Sequence, residues 1–330
     1  MTPRPAPSAL ALVTASDPGA LALASTLESA KGYARASKAD ETRRAYAREW
    51  SAFVAWSLES GATSLPTSPE VLACYVAAMA DKGRKPAGID LALASISAAH
   101  AGAGHDGKAL RGSAPVRAVR AGVRRTVGTV QRQAAPATVD VLRRMLAELP
   151  GEGTAAARDR ALLLLGFSAA LRRSELVALH VENVTFTARG AEVTITRSKT
   201  DQEGRGRVVA VPLGSSPEAC PVRALRAWIQ LAGLESGPIF RSVNRWGHLG
   251  APLSGRDVAR TIKRYAGRAG LEVADFSGHS LRAGLATSAA LAGRSDRSIM
   301  AQTGHRSRAM VDRYVRGAER WRDNAAAGLL

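Results

Sequence analysis

Cysteine is almost absent from this chain, and its scarcity excludes several kinds of protein. Cys74 and Cys220 are the only two cysteines, and they lie far apart, without a spacing typical of metal ligands. The sequence therefore supports neither a disulfide framework nor a zinc site. Such cysteine usage is typical of a reducing compartment, and we expect the protein to act in the cytoplasm.

Long apolar runs are missing as well. Residues 1–30 contain prolines, small residues and only short apolar stretches such as Leu10–Val13. A membrane-spanning helix needs about 20 consecutive apolar residues, and the segment does not have the pattern of a signal peptide. We predict that residues 1–30 form a flexible leader.

Acidic residues are few in comparison with basic ones. The chain has 28 Asp and Glu against 46 Lys and Arg, which gives a formal net charge of +18. This excess indicates a polyanionic partner, and nucleic acid is the first candidate. An anionic membrane surface is the alternative, but the arginines are spread over several predicted helices instead of forming one terminal basic helix.

The apolar pattern divides the 330 residues into two predicted domains. Helical spacing dominates residues 31–127, and residues 128–138 have no periodicity, so we predict an all-α first domain followed by a linker. The four helices expected there contain Tyr46–Ser57, Leu72–Met79 after an N-cap at Ser68, Ile89–Ile96 and Val116–Val123.

The second predicted domain, residues 139–330, mixes helices with a small sheet. Ala161–Phe167 is almost continuously apolar, as in a buried helix. Three segments rich in Val, Ile and Thr then predict a three-stranded antiparallel sheet, namely Val181–Thr187, Glu192–Arg197 and Arg207–Pro212. Helical spacing returns after Pro221, where Ser254 and Asp257 predict the start of a helix. The fold class is thus mainly α with a small antiparallel sheet, with the α+β part in the second domain.

Four short segments carry side chains that suit phosphate chemistry. Each has an ordinary explanation by itself: a surface ion pair, a solvated hairpin lysine, a helix-capping histidine and a core tyrosine. The segments contain Arg172 with Glu175, Lys199, His279 with Arg282, and His305 with Tyr314.

Together these side chains fit the in-line displacement of a phosphodiester by a protein hydroxyl. Two arginines and an imidazole can hold the non-bridging oxygens while a tyrosine attacks the phosphorus. A lysine can protonate the leaving oxygen, and a second histidine can assist proton transfer. The chemistry needs no metal, and the chain has no G-x-x-x-x-G-K-[ST] nucleotide loop. We expect no cofactor.

The order Arg, Glu, Lys, His-x-x-Arg, Gly-His, Tyr resembles the signature of the tyrosine recombinases, the lambda-integrase family. The resemblance extends from about Ser37 onward and is strongest to the Cre-like and Xer-type branches. It implies a helical core-binding domain at residues 31–127 and a catalytic domain at residues 139–330, which close as a clamp on duplex DNA. It also implies double-stranded DNA with an inverted-repeat site as the partner, and a homo-oligomer, a tetramer on synapsed DNA.

The resemblance also implies a role for each catalytic candidate. Arg172 and Arg282 correspond to the two phosphate-binding arginines, and Glu175 to the acidic residue that supports the site. Lys199 corresponds to the general acid toward the 5′-oxygen. His279 and His305 correspond to the family's histidines, and Tyr314 to the nucleophile that forms a 3′-phosphotyrosyl bond. We assign the deprotonation of Tyr314 to His279.

Contacts to DNA are a looser inference. Arg43, Arg44, Lys85 and Arg256 lie where the family pattern places DNA contacts, and two predicted helices have basic faces that could follow phosphates or simply face solvent. Those faces contain Arg117, Arg120 and Arg124 on one helix and Arg256, Arg260 and Lys263 on the other.

Two other functions use the same residues. A type IB DNA topoisomerase has a similar catalytic set, but the helical run from Ser37 to Val127 favours a recombinase. A DNA-binding protein without catalysis is disfavoured because every expected catalytic side chain is present. Trp321 in the tail could dock on a neighbouring protomer, or the tail could fray.

Overall fold

The computed structural model describes residues 18–129, 133–196 and 206–319. The chain divides into two compact units, Met1–Gln131 and Arg132–Leu330. Within the three described ranges, every helix is too short or too polar to cross a membrane.

The described part of the first unit contains helices and no strands. The helices are α1 (Pro18–Ala36), α2 (Asp40–Glu59), α3 (Pro69–Asp81), α4 (Pro86–Gly102), α5 (Gly107–Gly112) and α6 (Ala114–Val127). Their core contains fully buried Phe53 of α2, Leu72 and Val76 of α3, and Leu93 of α4. Leu72 and Val76 are four residues apart, as expected for one face of a helix. The Ser68 side chain accepts a hydrogen bond from the Val71 amide at the start of α3, so the predicted N-cap is confirmed.

Helix α1 corrects the expectation of a leader at residues 1–30. Residues from Pro18 onward have helical backbone, because the segment is rich in Ala and Leu, which favour helix even where a helix buries little. Residues 1–17 lie outside the described residues.

The second unit combines helices with two small sheets. Its helices are α7 (Val139–Ala147), α8 (Thr154–Ser168), α9 (Arg173–Val177), α10 (Pro221–Leu231), α11 (Gly255–Arg268), α12 (Ser280–Leu291), α13 (Asp296–Thr303) and α14 (Arg308–Glu319), with 3-10 turns at Val181–Asn183 and Val273–Asp275. Its strands are β1 (Val184–Thr187), β2 (Gly190–Ile195), β3 (Arg207–Pro212), β4 (Arg241–Val243) and β5 (Leu249–Pro252).

The three-stranded sheet has the order β1-β2-β3 and is antiparallel throughout. Val193 pairs with Val184 on one side and with Val209 on the other, so one face of the sheet presents a row of valines to the core. The predicted fold class and this sheet are confirmed. The β4–β5 hairpin was not predicted, because strands of three and four residues are too short to show alternation.

Helix α8 lies at the centre of this unit. Leu162, Leu163 and Leu165 are almost completely buried, and buried side chains occur all round the helix, as expected for a core helix with neighbours on every side. The chain that leaves α8 leads directly into the segment that contains Arg172, so a buried helix positions that segment.

Helix α12 touches the backbone that precedes α7. A Cβ on Gly284 would lie 1.9 Å from the carbonyl oxygen of Ala137, and the Ala137 amide donates to the Ser280 carbonyl over 2.9 Å. We expect Gly284→Ala to lower the free energy of unfolding of this unit by about 1–3 kcal/mol, because the backbone must shift.

Thermal unfolding followed by circular dichroism measures this effect. Gly122→Ala in α6 is the control, since nothing lies within 4 Å of its Cβ position and alanine favours helix by about 1 kcal/mol. A Gly284→Ala protein that melts at the wild-type temperature would contradict the close approach.

Candidate active site

The site starts at the turn between α8 and α9. Arg172 is the N-cap of α9, and its amide donates to Glu175 Oε2 over 2.9 Å. The Arg172 guanidinium forms an ion pair with Glu175 Oε1, and the Glu175 side chain is 1% exposed. A buried carboxylate thus fixes the backbone and the side chain of Arg172 together.

Arg207 is a second arginine at this carboxylate, and it was not predicted from the sequence. Its Nη2 lies 3.5 Å from Glu175 Oε2, and its Nη1 donates to the carbonyl of Gln302 over 3.0 Å. Burial lowers the pKa of Arg207, with Glu175 opposing this effect. The sequence of the strand could have indicated this role. Side chains alternate between the two faces of a strand, so Arg207 lies on the same inward face as buried Val209 and Val211, where a charge needs a partner.

Arg282 is buried at the first turn of α12 and is only 1% exposed. Its Nη1 donates to the Ala170 carbonyl over 2.8 Å, whereas its Nη2 is buried without a hydrogen-bond partner among the described residues. Burial, reinforced by the charge of Arg172, lowers the pKa of Arg282 to about 10. A buried cation with an unsatisfied N–H is suited to bind an anion.

His279 and Tyr314 meet beside this cation. The Nε2 of His279 lies 3.0 Å from the hydroxyl of Tyr314. Partial burial, and then the charges of Arg282 and Arg172, lower the pKa of His279, so the ring is neutral at pH 7 and can accept a proton. Part of the His279 side chain is open to solvent. The two arginines lower its pKa in the same direction as the burial of the rest of the side chain does.

The Tyr314 ring lies at the edge of a small apolar cluster. The buried members of that cluster are Ala286, Ala290, Ile299 and Val311. The sequence left a core tyrosine and a reactive tyrosine as alternatives. The structure shows features of both, because the ring packs on apolar side chains while the hydroxyl contacts His279.

His305 completes the described part of the site. It is 7% exposed, and its ring stacks on the Tyr314 ring with centroids 5.9 Å apart. Burial, followed by the charges of Arg282 and Arg172, lowers its pKa to about 4. Its Nδ1 lies 2.8 Å from the Thr303 hydroxyl.

Six of the seven predicted catalytic residues therefore lie around one cationic site, and Lys199 lies outside the described residues. The described six are Arg172, Glu175, His279, Arg282, His305 and Tyr314. The arrangement can hold an anion with two or more arginines and can deprotonate a tyrosine hydroxyl next to it.

The residues nominated for DNA contacts fall into two groups. Some form ion pairs within the protein: Arg120 and Arg124 with Asp90, Arg43 with Asp40, and Arg260 with Asp257. The others have no ion pair or side-chain hydrogen bond to any described residue, namely Arg44, Lys85, Arg117, Arg256 and Lys263. Asp90 joins α4 to α6 through Arg120 and Arg124, so these two arginines on the basic face of α6 have a structural role.

The second unit matches a family model. The model describes the phage integrase family and matches residues 137–320, which include all the described catalytic candidates. The chain belongs to this family. Its members are the tyrosine recombinases, so this recombinase is an enzyme that cleaves and rejoins DNA strands, as the signature implied.

Relatives and solved structures agree with this assignment. The recombinase is 41% identical over 293 residues to an integrase/recombinase XerD homolog of Selenomonas ruminantium, covering 88% of this chain and 85% of that protein. It is 32% identical over 166 residues to tyrosine recombinase XerD of Xanthomonas axonopodis pv. citri, covering about half of each chain, 48% and 50%.

Two DNA-bound structures share the fold. The first is the XerH recombinase on a palindromic difH substrate after cleavage, with a TM-score of 0.58 and 16% identity, covering 80% of this chain and 73% of that chain. The second is a lambda integrase dimer on a COC′ core site, with a TM-score of 0.57 and 17% identity, covering 89% of this chain and 77% of that chain.

Proposed function

We propose that this recombinase performs site-specific recombination by forming a 3′-phosphotyrosyl bond through Tyr314 and exchanging strands through a Holliday junction. The observation that carries the proposal is the 3.0 Å contact between His279 Nε2 and the Tyr314 hydroxyl. This contact lies beside Arg282, a buried arginine with an N–H that no described residue accepts from.

This geometry supports the following cleavage step. Arg172 and Arg282 bind the non-bridging oxygens of the phosphodiester and stabilise the charge that develops on them. The Tyr314 oxygen attacks phosphorus, and its proton moves to neutral His279, which compensates for the high ordinary pKa of tyrosine, about 10. The 5′-oxygen leaves with a proton from Lys199.

Religation is the reverse reaction. A 5′-hydroxyl attacks the phosphotyrosyl phosphorus, Lys199 takes back its proton, and Tyr314 leaves as the hydroxyl. One phosphoester replaces another at each step, so the bond energy is retained and the cycle needs no ATP or metal. When the attacking hydroxyl comes from a second duplex, religation exchanges strands.

Double-stranded DNA with a pair of inverted-repeat elements is the proposed substrate, and a homotetramer on two synapsed sites is the proposed assembly. The structures of XerH and lambda integrase, whose fold this chain shares, are complexes with recombination sites. We assign the phosphate contacts first to Arg44, Lys85, Arg117, Arg256 and Lys263, which form no ion pair with a described residue.

Recovery of protein-linked DNA tests the proposal. The protein is incubated with sheared genomic DNA from its own organism and denatured in detergent, and the DNA that stays attached is sequenced. After nuclease digestion, mass spectrometry should find a nucleotide on the peptide that contains Tyr314, and the recovered DNA should share one site. Attachment at another residue would overturn the proposal.

Plasmid relaxation separates the type IB topoisomerase alternative. A supercoiled plasmid without the recovered site should stay supercoiled, whereas a plasmid with two sites should give recombinant products. Relaxation of both plasmids would favour the topoisomerase.

Arg207 provides a further prediction, because it joins Glu175 to the Gln302 carbonyl. We expect Arg207→Ala to slow cleavage roughly 10- to 100-fold, since small displacements of catalytic groups have effects of that size, and Arg207→Lys to recover part of the rate. Arg160→Ala is the control, because the Arg160 side chain bonds only the Glu218 carbonyl among the described residues. Equal cleavage rates for the Arg207→Ala and Arg160→Ala proteins would contradict the role.

A further inference from the structure

Thr303 has no part in the family signature, but it is buried beside His305. Thr303 is 0% exposed at the end of α13. Its hydroxyl oxygen lies 2.6 Å from the carbonyl oxygen of Ile299 and 2.8 Å from His305 Nδ1. One hydroxyl thus touches a carbonyl and an imidazole nitrogen at the same time.

The directions of these two hydrogen bonds follow from chemistry. A carbonyl oxygen can only accept, so the single hydroxyl proton of Thr303 is donated to Ile299. The Thr303 oxygen must then accept from His305, which places a proton on Nδ1. In a neutral ring the other nitrogen, Nε2, consequently carries a lone pair.

We propose that Thr303 is a positioning residue that holds DNA-free His305 in the Nδ1–H form, so that His305 takes up a proton at Nε2 when it engages the scissile phosphate. A lone pair repels a phosphate oxygen, whereas an Nε2–H donates to it. The proton comes from solvent, and the product is an imidazolium that donates from Nδ1 to Thr303 and from Nε2 to phosphate. The second half of this inference rests on the proposed function.

The charges around His305 explain why its ring is neutral in the protein alone. Arg282, Arg172 and Arg207 face it from α12, the start of α9 and β3, together with His279, and all of them lower its pKa, after burial as the largest cause. Tyr314 of α14 stacks on the ring. A bound phosphate diester brings a negative charge next to His305 and opposes the effect of these positive charges, which raises the pKa of His305.

The sign of the resulting pH dependence is fixed. Because the pKa of His305 is higher in the complex than in the free protein, the complex binds more protons. Affinity for DNA should therefore fall as the pH rises through the raised pKa, by up to about tenfold per pH unit for one proton.

The tautomer can be measured without DNA. Nitrogen NMR of the full chain labelled with ¹⁵N-histidine reports which ring nitrogen carries the proton, and the His305 signal is the one that His305→Gln removes. We expect the Nδ1–H form at pH 7 in the wild type and in Thr303→Ser. In Thr303→Val, which lacks the acceptor, we expect a shift to the Nε2–H form. An Nε2–H or doubly protonated ring in the wild type would overturn the proposal.

Calorimetry tests the proton uptake. The Tyr314→Phe protein is titrated with the site recovered from the covalent adduct, in two buffers of different ionisation enthalpy. We expect uptake of about one proton per protomer, retained in the His279→Gln background and lost with His305→Gln. No uptake, or uptake that persists with His305→Gln, would overturn this half. If no adduct forms, the proposed function fails, while NMR still decides the role of Thr303.

Discussion

The Tyr314→Phe protein is expected to bind DNA but to form no covalent complex. The substitution removes only the oxygen that contacts His279 over 3.0 Å and leaves the ring on its apolar cluster. Loss of a catalytic nucleophile lowers rates by roughly 10⁴-fold or more, so the adduct should fall below detection on a denaturing gel. DNA affinity, measured by gel shift, should change by less than about twofold, because phosphate contacts dominate affinity.

Tyr33→Phe is the matched control for this experiment. Tyr33 lies on α1 and is 80% exposed, so the same atom is deleted from a tyrosine far from the catalytic segments in sequence. This variant should form the adduct at the wild-type rate. A detergent-resistant complex with the Tyr314→Phe protein would mean that another residue is the nucleophile.

The second large effect is expected at Arg282. Arg282→Lys keeps the positive charge, but an ammonium cannot reproduce the planar fork that donates to Ala170 and presents a second N–H to an anion. Removal of one preorganised donor to developing charge typically lowers rates by roughly 10²- to 10³-fold. We therefore expect cleavage of bound DNA to slow by that factor, while affinity falls by less than about tenfold.

Single-turnover cleavage at saturating protein separates these two quantities. Arg160→Lys is the control, and circular dichroism melting shows whether the Arg282→Lys protein retains its fold. Equal losses in cleavage and affinity would show that Arg282 serves binding and not the transition state.

The sequence predicted those parts of the fold that repeat along the chain. Leucines around α8, apolar residues at alternate positions in β2 and β3, and the Ser68 cap each leave a periodic or local signal, and the structure confirms all three. Short elements without a period, such as β4 and β5, were missed for the same reason.

The candidate site could be predicted for a different reason, since its residue types together solve one chemical problem. Residues that act through another residue were harder to find. Thr303 acts through His305, and Arg207 acts through Glu175. The first contact depends on the turn that follows α13, and the second exists only after folding has brought β3 to the start of α9. Of these two residues, only Arg207 could have been found from the sequence, through its position on the inward face of a strand.

The three arginines at the catalytic centre also affect how this protein must be handled. Arg172 and Arg207 repel Arg282, and Arg172 repels Arg207, while Glu175 offsets part of this repulsion, so the site keeps an excess of positive charge that favours binding of an anion. Any species that binds the folded form selectively raises its stability. The melting temperature should thus be higher in phosphate or sulfate than in chloride of equal ionic strength, and stabilities of variants at this site can be compared only in one buffer.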